Sequence, residues 1–296
     1  MIYTIKKFKK EFPNDDTCLD YIFKTRFSGL ICPRCGKSKF FRVKGLKKYA
    51  CRCGYQISPL ADTILHKSET KLSDWLFAVY LMSQSKHGTS AKELQRHLGT
   101  TYKTAWRIAN LIRKLMREDD NKLEKIVEID EMYVGGKRKQ SKKNENKAIV
   151  MGMVQRGGKI KTKYLKEYWT PTTLKAIEDN VKWGTRVITD DGSILRKTKR
   201  LGYLQDTIIH SKKEFVRGDI HTNTIEGFWA QAKNSLKSTH KAVSQKYLQD
   251  YLNSLTFSYN SRFASLSPFE VLLSRLCQLP YGEVDKSVPL KLPVVS

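Results

Sequence analysis

Two sets of residues have the types and spacing for chemistry. The first is four cysteines, Cys32, Cys35, Cys51 and Cys53, in a C-x2-C, x15, C-x-C pattern within CPRCGKSKFFRVKGLKKYACRCG. Two close thiolate pairs separated by a hairpin's worth of chain suit the tetrahedral sulfur coordination of a structural zinc. Disulfides are the competing chemistry. Residues 1–10, MIYTIKKFKK, lead into no signal-peptide core, so the expected compartment is the reducing cytoplasm, which favours metal over bridges. Gly36 and Gly54 each follow the second cysteine of a pair, where a zinc knuckle needs positive φ. The second pair is tighter than the usual C-x-x-C, which leaves an altered knuckle or incomplete zinc occupancy open. Cys18 and Cys277 stand alone and read as small buried hydrophobes.

The second set is acidic. EKIVEIDEMYVGG reads as a strand that carries Glu128 and Asp130 on one face and Glu131 on the other. An acid inside an apolar strand costs free energy unless it is paired or holds a cation. TRVITDDGS is a short β-branched strand whose end releases Asp190 and Asp191. DIHTNTIEGFWAQAKNSLK stacks Glu226, Trp229 and Lys233 along one side of a helix, and Glu226 and Lys233, two turns apart, can both face the strand ends. Asn223 followed by Glu226 also fits a helix N-cap pair with no chemical role. Trp229 reads as packing on the sheet.

The elements that must position these acids follow in order: three antiparallel strands, the second pair turning at Gly157-Gly158; a helix over TPTTLKAIEDNVK; a strand; a helical stretch; the strand LQDTIIHS; and the helix from Thr224. That is the order of a ribonuclease-H-like domain with a mixed five-stranded sheet flanked by helices. Upstream, LSDWLFAVYLMSQSK reads as a helix with Ser73 as N-cap. GTSAKELQRHLGTTYKTAWRIANLIRKLM reads as two more, with a Ser90/Glu93 capping box, a break at Gly99 and a second start near Thr101. Two short helices at a glycine turn match a helix-turn-helix, with Lys103, Thr104 and Arg107 as DNA contacts; a plain helical bundle with a wet basic side is the other reading. The expected organisation is an α/β multidomain chain: a zinc ribbon with an N-terminal extension (1–60), a helix-turn-helix module (61–120), the ribonuclease-H-like domain (121–279) and a loosely ordered tail (280–296).

The chain has 296 residues, 55 Lys+Arg against 29 Asp+Glu, and a formal net charge of +26. That excess implies a polyanionic partner, most simply nucleic acid, although lysine-rich runs are also ordinary solvated faces. With 40% hydrophobic residues and no apolar run near the ~20 residues of a membrane span, the composition is that of a folded, non-membrane protein.

In this order VEIDEMYVGGK, ITDDG and HTNTIEGFW…K, preceded by the cysteine ribbon and GTSAKELQRHLGTTYKTAWR, resemble a family of bacterial insertion-sequence transposases with an N-terminal zinc ribbon and a DDE-type catalytic domain. The resemblance runs from about Cys18 to about Leu276. It implies that the first catalytic aspartate is Asp130 and the second Asp190, with Asp191 one residue of register away. The third position is Glu226, or alternatively Asn223, with Lys233 on the same helix near a phosphate of the scissile bond. It further implies a site for two Mg2+ (or Mn2+) ions held by Asp130, Asp190 and Glu226. The reactions are 3′-end cleavage by water and strand transfer into target DNA, by a homodimer or larger assembly on double-stranded DNA. Lys137, Arg138, Lys139 and Lys237 would track the DNA backbone. The chain departs from the family in the short C-x-C pair, in SPLADTILHKSE, which lacks a Gly-Thr step, and in LNSLTFSYNSR, which lacks an acid ahead of the phenylalanine. The rival class is a DNA-binding regulator derived from a transposase that no longer cuts.

Overall fold

A computed structural model describes residues 2–135, 147–167, 170–190, 198–199, 201–209 and 216–282. In chain order the elements are α1 (Ile5–Glu11), α2 (Asp15–Arg26), β1 (Phe40–Arg42), β2 (Tyr49–Cys51), β3 (Gln56–Ile57), α3 (Leu72–Gln84), α4 (Ala91–Leu98) and α5 (Tyr102–Leu115). There follow β4 (Ile126–Val134), β5 (Ala148–Gln155), β6 (Ile160–Leu165), α6 (Thr170–Asn180), β7 (Arg186–Thr189), β8 (Leu204–Thr207), α7 (Asn223–Asn234), α8 (Leu248–Asn260) and α9 (Pro268–Gln278). Two compact units result: residues 1–85, 91–115 and 265–296 in one, 86–90 and 116–264 in the other. Among the described residues no helix is long and apolar enough to cross a membrane.

In the first unit, β1, β2 and β3 form a small antiparallel sheet in that order. The helices pack through aromatic side chains: the Phe269 ring of α9 lies 4.6 Å from that of Tyr3, 5.7 Å from Phe8 and 5.7 Å from Tyr80, between centroids. This is why the chain returns to the first unit after Ala264 and the second ends short of residue 279, where the sequence reading had closed it; α9 spends its apolar face on rings that the N-terminal helices supply. The start of α3 also differs from expectation. Ser73 lies inside the helix, and the cap comes from α2, whose Asp15 carboxylate accepts from the Leu72 and Ser73 amides at 3.1 and 3.0 Å. Helices α4 and α5 meet at Gly99, whose φ of 61° suits the turn. Thr101 caps α5, its hydroxyl accepting from the Thr104 amide at 3.2 Å. Two short helices joined at a glycine turn are thus present where the sequence reading expected them.

The second unit is a mixed five-stranded sheet in the order β6-β5-β4-β7-β8. β4, β5 and β6 are antiparallel neighbours, and β7 and β8 run parallel to β4. This is the ribonuclease-H-like arrangement that the element order predicts. One face buries Val127, Ile129, Met151 and Met153 beneath Ala176 and Ile177 of α6. The opposite face buries Met132, Val150 and Val154 beneath Ile225, Phe228 and Trp229 of α7 and Leu252 and Leu255 of α8. Period-2 alternation therefore turns Glu128 and Asp130 toward α7.

Candidate active site

The parallel ladder between β4 and β7 ends at the pair Ile129–Thr189. Asp130 is the next residue of β4 and Asp190 the first after β7, so two acids arrive side by side where β7 stops and β4 runs on without a partner on that side among the described residues. Carboxylate oxygens of Asp130, Glu131 and Asp190 lie within 4.8 Å of one another. Burial raises Asp130 to about 6, with the Asp190 and then the Glu226 carboxylates adding to the rise. Glu131 is the unexpected member. Its backbone alternates to the face opposite Asp130, pairing with Met151, yet its carboxylate reaches the cluster beyond the last β4–β7 pair. The signal in the sequence is an acid directly adjacent to Asp130, which period-2 alternation alone places on the other face. Oxygen-only donors this close together fit a hard divalent cation such as Mg2+.

Helix α7 is seated on β4 from two points. Its N-cap, Thr222, makes no side-chain cap. Instead Glu128, buried and two residues before Asp130, accepts from the Thr224 and Ile225 amides at 2.9 and 3.0 Å and from the Thr224 hydroxyl at 2.9 Å. Arg156 pairs with Glu128 at 2.7 Å and donates to the carbonyls of Asp219 and His221 at 2.5 and 2.8 Å, tying down the loop that leads into α7. Arg186 binds the same loop through Asp219, whose carboxyl it holds below the usual carboxylate range. One turn along α7, the Trp229 ring lies over Gly152, the residue paired with Asp130 across β4 and β5. A Cβ on Gly152 would stand 2.4 Å from that ring, so only glycine leaves room. The Trp229 N–H opposes the rise at Asp130, although its buried nitrogen reaches no partner within hydrogen-bond distance; the two groups face each other without a formed bond.

Between these anchors sits Glu226. It is exposed, its carboxylate accepts from the Thr222 hydroxyl at 2.7 Å, and it is near enough to Asp130 to act on it electrostatically. Asn223 is the first helical residue and exposed; the helix takes its cap from Glu128, so the Asn223/Glu226 cap pair of the sequence reading is not formed. Lys233 is exposed in the last turn of α7, and Lys237 is exposed in the π-helical turn Ser235–Thr239 that extends it. Asp191, Lys137, Arg138 and Lys139 fall outside the described residues, as do 283–296 of the expected tail.

In the first unit the four cysteines converge. Cys32 and Cys53 sulfurs are 3.5 Å apart, Cys35 and Cys51 sulfurs 3.4 Å, and all four lie within 4.8 Å of one another. Tetrahedral zinc at ~2.3 Å from each sulfur needs edges of about 3.8 Å, so the donor set fits. Each knuckle closes on a backbone bond of 2.9 Å, Gly36 N–H to Cys32 O four residues back in the first and Gly54 N–H to Cys51 O three residues back in the shorter second, with φ of 71° and 86° at the glycines. The shorter C-x-C pair thus closes as well as the longer one. Lys103 and Arg107 are exposed on α5, with the Arg107 guanidinium 5.9 Å from the Trp75 ring; Thr104 is half-buried near the Thr101 cap.

Residues 122–260 match the family model described as ISXO2-like transposase domain, and residues 13–56 match the transposase zinc-ribbon domain. A relative from Halobacterium salinarum, described as an uncharacterized protein in transposable element ISH50, is 24% identical over 269 residues, covering 82% of this chain and 90% of its own. Among solved structures, the simian T-cell lymphotropic virus intasome in complex with PP2A regulatory subunit B56 gamma is similar at 15% identity, over 74% of this chain and 76% of that one. Its TM-score of 0.24 carries no argument about fold.

Proposed function

Starting from a chain that belongs to the insertion-sequence transposases, with a transposase zinc ribbon ahead of an ISXO2-like transposase domain, we propose that it binds the ends of its own element and cuts and joins DNA there. The observation that carries this reading is the meeting of Asp130 and Asp190 carboxylates at the open end of the β4–β7 ladder, within 4.8 Å and beside Glu131. Half-buried like-charged carboxylates crowded at the ends of neighbouring strands are costly unless a cation is shared among them.

Asp130 and Asp190 are the principal oxygen donors, and Glu226 completes the set from α7. When bound, Mg2+ or Mn2+ supplies charge stabilisation to the attacking and departing oxygens of a phosphodiester. Asp130, raised to about 6, holds a proton in mildly acidic solution and gives it up as it takes a cation. Lys233 stands two turns, about 10.5 Å, beyond Glu226 along the helix, a distance suited to a phosphate flanking the scissile one. Water opens the 3′ end first, and the freed 3′-hydroxyl then attacks target DNA at the same carboxylates. The four cysteines hold a structural zinc, and the ribbon, with Lys103, Thr104 and Arg107 of α5, reads the element's ends. Lys137, Arg138, Lys139 and Lys237 add contacts to phosphates without sequence information. Joining two ends calls for at least two copies of the chain on DNA.

The test is cleavage and strand transfer on labelled DNA carrying the element's ends, in Mg2+ and in Mn2+, for wild type and for Asp130→Ala, Asp190→Ala and Glu226→Ala. The expected outcome is 3′-end cleavage by wild type, loss of at least about 100-fold in each variant, and retained DNA binding, since removing a preorganised group costs this much or more in comparable sites. Binding without cleavage by wild type in either metal would sink the enzyme reading and leave a DNA-binding regulator.

A further inference from the structure

We infer that Glu128 is a positioning residue: the distant cap that sets the first turn of α7, and with it Glu226, over the Asp130–Asp190 cluster. The inference rests on the reading of Asp130, Asp190 and Glu226 as the cation-holding set.

A helix normally satisfies its N2 and N3 amides with the side chain of its own N-cap. Here those amides belong to Thr224 and Ile225, and both donate to Glu128 Oε2, at 2.9 and 3.0 Å. The N-cap hydroxyl, Thr222, is thereby released and donates to Glu226 Oε1 at 2.7 Å. One carboxylate from β4 thus does the capping, and the residue that would have capped orients the proposed ligand instead.

Glu128 has nothing left for a cation. Its side chain is 0% exposed; Oε2 takes the two amides, while Oε1 takes Arg156 Nε at 2.7 Å and the Thr224 hydroxyl at 2.9 Å, with His221 Nδ1 at 3.5 Å. It is therefore not a spare ligand. It stands two residues before Asp130 on the same face of the same strand, about 7 Å along, so the group that seats the helix and the group that would hold the cation share one rigid element. Arg156 extends the grip to the Asp219 and His221 carbonyls. Farther along α7, the Trp229 ring over Gly152 sets its height above the sheet. Only Glu226, Gly227 and Phe228 lie between the two anchors, and the first two are exposed.

The experiment is Mn2+ binding by the zinc-loaded full chain without DNA, read from the electron paramagnetic resonance of free Mn2+, together with hydrogen exchange at the α7 first-turn amides. The proteins are wild type, Glu128→Gln, Glu226→Gln, the double variant, Thr224→Val and Asp130→Asn. Groups that orient a metal ligand typically cost about 10- to 100-fold in metal affinity when lost. Glu128→Gln should weaken Mn2+ binding by that order, speed exchange in the first turn, and add nothing to Glu226→Gln in the double variant, since each acts through the other. Should Glu128→Gln fail to fold, Thr224→Val, which removes one donor to Glu128, should give a smaller loss of affinity with the same non-additivity. Losses that add would overturn the inference, as would a loosened first turn with unchanged Mn2+ affinity. Asp130→Asn separates the two failures: if it abolishes binding while Glu226→Gln does not change it, the cation site stands and this inference falls; if neither variant matters, both fall.

Discussion

Asp130 is the residue on which most turns, and its protonation has a definite sign. Burial, then the Asp190 and Glu226 carboxylates, raise it to about 6, so the cation-free fold prefers its neutral form. The stability lent by that preference is complete below the unfolded-state value of about 3.9 and is lost as pH rises through about 6. Asp130→Asn should therefore raise the cation-free thermal midpoint at pH 7.5, by an amount equivalent to about 3 kcal/mol, and leave it nearly unchanged at pH 4. An equal shift at both pH values would refute the assignment. Mn2+ reverses the preference, because it binds the carboxylate; its affinity, followed by calorimetry, should fall as pH drops below about 6. Gly152 makes a second prediction at this scale. Gly152→Ala drives a Cβ to within 2.4 Å of the Trp229 ring and 2.7 Å of Ile225 Cδ1, so urea denaturation should show a loss of about 1–3 kcal/mol, the usual cost of overpacking. Asp130 was conspicuous in the sequence as an acid in an apolar strand. Gly152 was not, because its constraint comes from an indole 77 residues away.

Element by element, the second unit was largely readable. Alternation in EKIVEIDEMYV, β-branched residues in RVIT and turn glycines after the strands are local signals, and they lead to the observed order of three antiparallel strands, helix and two parallel strands. Two of the helix caps were not readable, although the start of α5 at Thr101 was. Asp15 caps α3 across 57 residues of sequence, and Glu128 caps α7 across 96. The nearby candidates, Ser73 and Asn223, carry the right chemistry for a cap but lost to carboxylates brought in by the tertiary fold. The consequence is measurable. Thr222→Ala should cost well under the ~1 kcal/mol of an ordinary N-cap loss, whereas Glu128→Ala, which strands Arg156 and two buried amides, should cost about 3–5 kcal/mol. Denaturation of the two variants side by side decides it, and a larger loss from Thr222→Ala would return the cap to its local residue.

At the scale of the whole molecule, the zinc ribbon and the carboxylate cluster belong to separate compact units. Metal removal should separate them too. A chelator strong enough to strip zinc should open residues 32–57 to limited proteolysis and leave the five-stranded sheet protected, because the three-stranded sheet of the ribbon is too small to hold its own core. Loss of protection in both units together would show that zinc supports more than the ribbon. The net charge of +26 should appear in binding to DNA as a steep fall of affinity with salt; a shallow dependence, measured by anisotropy from 50 to 200 mM salt, would mean that few of these cations meet phosphates.

What the sequence determined by itself is what short-range physics writes into it: the four-cysteine pattern and its positive-φ glycines, the strand and helix periods, the basic excess, and the acids at Asp130 and Asp190. What only the tertiary structure decided is which distant groups share an end or a face. Glu131 joins the cluster because it sits just past the end of the β4–β7 ladder, beside the acid that follows β7. Glu128 caps α7 because β4 runs beneath the helix, and α9 leaves the second unit because Phe269 finds its aromatic partners in the first. Each of these contacts joins residues far apart along the chain, and no local pattern of residue types encodes a partner that arrives only when the sheet and helices have packed.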